Sequence, residues 1–245
     1  MKEENILIGL RPLIEALDSG QEIQKVLVQQ GLHGELFQEA FARIKKEGIP
    51  YQTVPVQRIE RVSKNNHQGV ITYISPIEFH DLDEMLDRLK SEKKLTALMM
   101  LDGVTDVRNF GAIARSVECF GFDGIIISKQ GASPVNADAI KSSAGALLRV
   151  PVCRVHHVAD ALALCQQYGL KVIAATEKGN TDLSTLDMSE SVCIVLGNEE
   201  KGVSIGILRR ADVLAKIDMT GTTKSLNVSV AGGILCYEVS KQHKK

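Results

Sequence analysis

Residues 95–104 read LTALMMLDGV, a nearly unbroken apolar run closed by an acid and a glycine. It does not alternate polar and apolar positions, as a strand with one wet face would. Five runs of the same kind follow: GIIIS (124–128), VPVCRV (150–155), KVIAATE (171–177), SVCIVLGN (191–198) and VLAKIDM (213–219). Helix-like segments or loops separate them, ADALALCQQYG (159–169) among them. Strands buried on both faces read this way. Residues 96–245 are therefore expected to form an α/β domain on a parallel sheet, with helices on each side.

The first 76 residues have a different rhythm. LRPLIEAL (10–17) has helical spacing, KVLVQQ (25–30) reads as a strand, and ELFQEAFARIKKEG (35–48) is an amphipathic helix stopped by Gly48. YQTVP (51–55) and GVITYIS (69–75) read as strands around the helical VQRIERVSK (56–64). This is a small α/β unit, residues 1–76. The charged stretch PIEFHDLDEMLDRLKSEKKL (76–95) lacks a β signal and reads as a linker with some helix, residues 77–95.

Composition narrows the function classes. Of 245 residues, 44% are apolar and 24% charged, as in an ordinary globular protein with a real core. The formal net charge of −1 excludes a polycationic nucleic-acid binder but leaves room for a local basic patch. Cysteines at 119, 153, 165, 193 and 236 form no CxxC pair and are odd in number, which suits reduced thiols in a cytoplasmic protein. The start MKEENILIGLRPL does not read as a secretory signal, and no window approaches the ~18 apolar residues of a membrane span. A soluble, cytoplasmic protein with no membrane partner is expected.

In a parallel sheet, ligands bind outside the carboxyl ends of the strands. Three such ends carry unusual polar residues: TDVRNFGAIAR (105–115) holds Asn109 and Arg115, NEEKG (198–202) holds Glu199, and TGTTKSLN (220–227) holds Ser225 and Asn227. The dinucleotide fingerprint GxGxxG and the phosphate loop GxxxxGK[ST] are both absent. No carboxylates, histidines or cysteines cluster at metal-ligand spacing. The adjacent His156 and His157 are potential ligands, but adjacent residues on one element rarely converge on an ion. They read as a polar strand-to-helix corner, and no metal is expected.

DGVTDVRNFGAIARSVECFG (102–121), IVLGNEEKGVS (194–204) and IDMTGTTKSLNVSVAGGILCYE (217–238) resemble the three motifs of the SpoU (TrmH-type) RNA 2′-O-ribose methyltransferases, of the SPOUT superfamily. IGLRPLIEALDSG (8–20) and NNHQGVITYI (65–74) resemble that family's small RNA-substrate-binding domain, which has a ribosomal-protein-L30-like fold. Asp218 departs from the pattern, which has proline after the isoleucine. The resemblance implies a C-terminal SPOUT domain with a deep trefoil knot, an exception to the rule that chains avoid knots. It implies S-adenosylmethionine as cofactor, held by backbone groups near Gly197, Ile217, Met219 and Leu226, and a homodimer whose sites are completed at the subunit interface. The implied reaction is 2′-O-ribose methylation of structured RNA, with a guanosine of large-subunit ribosomal RNA as the leading target. Alternatives are a transfer RNA, or a non-catalytic RNA-binding or ribosome-assembly role on the same fold.

Each site residue also has a plainer reading. Arg115 has small or apolar neighbours in FGAIARSV, which suits a surface salt bridge less than a catalytic role. Guanidinium stays protonated, so its expected task is to hold the RNA phosphate and stabilise a developing alkoxide. Asn109 stands where the helix NFGAIARSV begins and is expected to cap it, bind substrate, or both. Glu199 is expected to orient Arg115 or face the cationic cofactor, and Glu200 to be solvated. Ser225 and Asn227, together at the start of the last helix, read as a patch that grips ribose or phosphate. Gly232 and Gly233 lower helix propensity by about 1 kcal/mol each, for which close packing at a dimer interface is the expected reason. Arg58, Arg61 and Lys64 form a candidate basic surface for RNA.

Overall fold

The fold is described from a computed structural model that covers residues 5–92, 95–223 and 225–243. The chain divides into two compact units, Met1–Glu78 and Phe79–Lys245.

The first unit runs β1 (Ile6–Ile8), α1 (Leu10–Asp18), β2 (Ile23–Gln29), α2 (Glu35–Lys46), β3 (Tyr51–Val54), α3 (Val56–Glu60), β4 (Val70–Ile74). Its sheet has the order β1-β4-β2-β3. Strand β3 lies parallel to β2, so the chain must cross over between them, and α2 is that crossover. Strand β4 is antiparallel to both neighbours. The period of two along β2 sorts the core. Val26 and Val28 pack with Leu13, Ala16, Leu17, Ala40 and Ile44, whereas Leu27 packs with Val54, Ile59 and Ile71.

Thr72 on β4 is fully buried, and its hydroxyl has no hydrogen-bond partner among the described residues. A buried hydroxyl without a partner loses its water without compensation. Thr72→Val keeps the shape and removes that penalty. It is expected to raise unfolding stability by about 1 kcal/mol, read as a higher urea midpoint at unchanged slope; a lower midpoint refutes this account of Thr72.

The second unit begins in the stretch expected to be a linker. Helix α4 (Leu82–Ser91) is capped by Asp81, whose carboxylate accepts from the backbone N–H groups of Asp83 (2.9 Å) and Glu84 (3.1 Å). Leu82, Met85, Leu86 and Leu89 are buried with Leu98, Met100, Ile126 and Cys153. These four have helical spacing, i, i+3, i+4 and i+7, under a run of surface charges. The helix is thus part of the second unit's core rather than a solvated connector.

Then follow β5 (Ala97–Asp102), α5 (Val107–Cys119), β6 (Gly124–Ser128), α6 (Ala137–Ser142), β7 (Val152–Val155), α7 (Val158–Gln167), β8 (Lys171–Ala175), β9 (Thr181–Asp182), β10 (Val192–Gly197), α8 (Ile205–Leu208), β11 (Val213–Lys216) and α9 (Val228–His243). The seven strands are ordered β7-β6-β5-β10-β8-β11-β9, and every pairing is parallel. The six expected runs all form strands; two-residue β9 had no sequence signal. Every residue of β10 is buried, as continuous apolar character requires. Leu98 and Met100 of β5 and Cys193 and Val195 of β10 face α4, α7 and α8. The opposite face of β10 lies under α5 and α9, where a side chain on Gly232 would meet Leu196 at 3.0 Å and Ile113 at 3.4 Å. No helix among the described residues is long and apolar enough to cross a membrane. All five cysteines are free thiols, four of them buried. Burial pushes the Cys153 and Cys236 thiols up to about 12.

Candidate active site

Parallel strands put all their carboxyl ends on one edge, so the loops after β5, β10 and β11 meet there. Helix α5 starts earlier than the sequence suggested. Its cap is Asp106, whose carboxylate accepts from the N–H groups of Arg108 and Asn109, both at 2.9 Å. Asn109 is therefore the third residue of the helix and not its cap, which corrects the expectation.

That leaves the Asn109 side chain free to bridge the other two motifs. Its Nδ2 donates to Glu199 Oε1 at 3.1 Å, and its Oδ1 accepts from Asn227 Nδ2 at 3.1 Å. Asn227 Oδ1 in turn accepts from the N–H of Ser229 (2.9 Å) and from its hydroxyl (2.5 Å), capping α9. The direction of this chain is dictated at both ends. An ionised carboxylate only accepts and a helix N-terminus only donates, so both amides must point their NH₂ groups toward Glu199. One line of hydrogen bonds thus ties motif three to motif one and motif one to motif two.

The loop after β10 is braced separately. Asn198 Nδ2 donates to the Gly103 carbonyl (2.8 Å), and its Oδ1 accepts from Glu200 N (3.0 Å) and Lys201 N (3.1 Å). Asp102 Oδ2 accepts from Ser204 N at 2.7 Å. Glu199 receives a second, longer bond from Asn198 at 3.4 Å. Among the described residues its partners are thus the two asparagines, and no ion pair joins it to Arg115. Glu200 is exposed, as expected. Asp102, Asn198 and Ser204 are supporting residues that the motif reading passed over. The signal was present in Asp102, an acid ending an apolar strand.

Arg115 is exposed and makes no hydrogen bond or ion pair with another described residue, so the salt-bridge reading does not hold. It lies six residues beyond Asn109, about 9 Å along the helix axis and on another face. Near the helix start, Gly111 allows α6 to approach. A Cβ there would overlap Ser142 and come within 2.9 Å of the Ala139 carbonyl.

Ser225 is exposed, and no hydrogen bond joins it to a described residue. Leu226 is 38% exposed, Ile217 and Met219 are half-buried, and Gly197 is buried. Residues 218–223, 225 and 226 make no backbone hydrogen bond with the backbone of another described residue. Their N–H and C=O groups, flanked by apolar Ile217, Met219 and Leu226, remain available to a ligand. A cofactor with an apolar body and polar edges fits that loop. Gly232 has a task within the chain. A Cβ on Gly232 would press on Leu196 at 3.0 Å, so this glycine lets α9 close on β10 and α5 of the same chain, whereas a Cβ on Gly233 would make an ordinary contact with Ser116 at 3.5 Å. Their packing does not require a second subunit.

Comparisons with known proteins agree with this geometry. The profile of the SpoU rRNA Methylase family matches residues 96–237, and that of RNA 2′-O ribose methyltransferase substrate binding matches residues 6–80. A Staphylococcus aureus (strain MSSA476) protein assigned to the TrmH family of tRNA/rRNA methyltransferases is 34% identical over 241 residues, 98% of this chain and 97% of its own. The structure of an AdoMet-bound rRNA methyltransferase from Sinorhizobium meliloti superposes with TM-score 0.62 at 24% identity, covering 97% of this chain and 87% of that one. An A. aeolicus TrmH/SpoU tRNA modifying enzyme superposes with TM-score 0.56 at 27% identity, covering 66% of this chain and 84% of that one. Three motifs joined by one line of hydrogen bonds and a profile match over most of the second unit lead to one conclusion: the chain belongs to the SpoU rRNA methylase family of RNA methyltransferases.

Proposed function

We propose that this protein transfers a methyl group from S-adenosylmethionine to the ribose 2′-oxygen of a structured RNA, a guanosine of large-subunit ribosomal RNA. The observation that carries the reading is the Asn227–Asn109–Glu199 line, which holds three strand-end loops in one geometry. What favours ribosomal over transfer RNA is coverage. The Sinorhizobium meliloti rRNA methyltransferase spans both units of this chain, whereas the A. aeolicus tRNA modifying enzyme spans 66% of it.

When bound, S-adenosylmethionine supplies an electrophilic methyl group on a sulfonium. Gly197 and the backbone of residues 217–219 and 226 would hold it at the carboxyl ends of β10 and β11. Arg115, exposed and unpaired with any described residue, binds the RNA phosphate and stabilises oxyanion character on the 2′-oxygen. Because guanidinium does not give up its proton, a phosphate oxygen or water is the group that takes the proton of the ribose 2′-hydroxyl. Ser225 and Asn227 grip the ribose, and Glu199 orients Asn109. Residues 1–76 act as the RNA-substrate-binding domain and 96–245 as the methyltransferase domain, and helix α4 in the intervening 77–95 packs into the latter's core. Exposed Arg58, Arg61 and Lys64 support that role.

The reading includes a cytoplasmic homodimer and a deep trefoil knot. Exposed Val230 and Tyr237 on α9, with Leu148 nearby in sequence to α6, supply apolar surface for a second subunit. Support for the knot is the path of the chain, which leaves central β10, forms β11 beyond β8, and returns in α9 against β10 and α5.

Calorimetry with S-adenosylmethionine tests the reading. Wild type is expected to bind about one molecule per chain, and Leu226→Arg, which fills the loop with a charged side chain, to bind none. Folded wild-type protein that binds no cofactor, alone or with RNA, excludes methyl transfer.

A further inference from the structure

The histidine pair at 156–157 remains outside the site described above. It does form a strand-to-helix corner, with β7 ending at Val155 and α7 starting at Val158. The structure adds Lys129, the residue after β6, whose Nζ lies 3.2 Å from His156 Nε2. An ammonium bonded to that nitrogen occupies the lone pair a metal would need and repels any cation placed there. Arg154 braces the corner from within the strand. Its guanidinium lies 5.0 Å from the Phe79 ring centroid, and its Nη2 reaches toward the Lys129 carbonyl at 3.5 Å. Lys129, His156 and His157 are exposed, and none makes an ion pair with a described acid. Asp160, in the first turn of α7, is the nearest acid in sequence and makes none with them. The remaining N–H groups of the Lys129 ammonium and ring N–H groups of the two histidines therefore present donors without a neutralising carboxylate among the described residues, in a chain whose formal net charge is −1.

Its position gives these donors a use. β6 and β7 are the next two strands outward from β5, so their carboxyl ends share the edge that carries Asn109. Lys129 follows the strand next to β5 and His156 the strand beyond it, so they stand about 5 and 10 Å from β5 along the edge, a distance that a few nucleotides of RNA backbone span. We propose that Lys129, His156 and His157 hold a backbone phosphate of the substrate RNA within a few nucleotides of the target ribose. The proposal rests on the RNA-methylating reading above. Holding a phosphate fixes the register of the RNA without reading its bases.

The test is RNA binding as a function of salt, using an unmodified large-subunit ribosomal RNA transcript. Wild type is compared with the double variant Lys129→Gln, His156→Gln and with Lys129→Glu. The expected result for both is a several-fold weaker Kd at low salt, with the slope of log K against log salt shallower by about 0.7–0.9 for each phosphate that is no longer neutralised. S-adenosylmethionine affinity and melting temperature are expected to stay at wild-type values, which shows that the fold and cofactor loop are intact. Unchanged Kd and slope in both variants overturn the phosphate site while leaving the methyltransferase reading standing. Wild-type protein that binds cofactor but no structured RNA overturns both.

Discussion

Asn109→Asp is expected to slow methyl transfer about 100-fold while leaving most of the fold's stability in place. The substitution keeps size and shape but reverses the polarity of one hydrogen bond. The Asn109 amide donates to Glu199 and accepts from Asn227. An aspartate still accepts from Asn227, but faces Glu199 with a second carboxylate. Two like charges about 3 Å apart at a solvent-exposed position separate rather than bear the repulsion, and the Glu199 side chain turns away on its braced loop. The stability loss is modest, about 1–2 kcal/mol, because the pair is screened by water. The rate loss is larger because displacing a positioned group by about 1 Å is enough for a 100-fold effect. Single-turnover methylation at saturating cofactor, with a thermal melt alongside, separates the two. Adding Glu199→Gln to Asn109→Asp restores a donor facing an acceptor and is expected to recover the melting temperature. If the rate recovers too, the line acts by positioning alone; if only the melt recovers, the Glu199 charge itself is needed. An Asn109→Asp protein that methylates at the wild-type rate removes the line from the mechanism.

That line also shows how far the sequence could be read. The six long strands were legible because continuous apolar character is a local property, visible in windows of five to seven residues. The polar loops were legible for the same reason, since each interrupts an apolar run at its end. The choice of cap for α5 was not. Asp106 and Asn109 are both good capping residues within one turn. The decision between them rests on partners 90 and 118 residues away, Glu199 and Asn227. Only tertiary structure shows that the Asn109 side chain is already engaged. The same holds for Gly232 and Gly233, whose sequence says only that something comes close. Ile113, Leu196 and Ser116 are what they meet. Helix α4 was obscured differently, because the acids and bases of DLDEMLDRLK outnumber its apolar stripe unless positions 82, 85, 86 and 89 are counted at helical spacing. Strands β1 and β9, three and two residues long, are too short for any periodicity to register.

Gly197→Ala is expected to be the most damaging single methyl group that can be added near the site. Gly197 ends β10, opposite Asp102 of β5, and is buried. A Cβ there would overlap the carbonyl carbon of Gly202 and the nitrogen of Val203. These are backbone atoms and have no rotamer through which to move aside. The loop between them is pinned at several points: Asn198 and Gly202 exchange backbone bonds of 3.1 and 2.8 Å, Asn198 holds Gly103, and Asp102 holds Ser204. The strain must then be absorbed by breaking that set, at a loss of about 3 kcal/mol. For a domain of this size the melting temperature should fall by roughly 6–12 °C. Because the same loop carries Glu199 and borders the proposed cofactor site, calorimetry should show S-adenosylmethionine binding lost at a temperature where the variant is still folded. Gly206→Ala is the control, since a Cβ at that position meets nothing within 4 Å. It adds the same methyl group in the helix that follows the loop, and should leave the binding isotherm unchanged and the melting temperature the same or slightly higher, because alanine suits a helix better than glycine. A Gly197→Ala protein that melts and binds like the Gly206→Ala protein would mean the loop can move without loss, and the close approach of Gly202 to Gly197 would then have no part in holding the site.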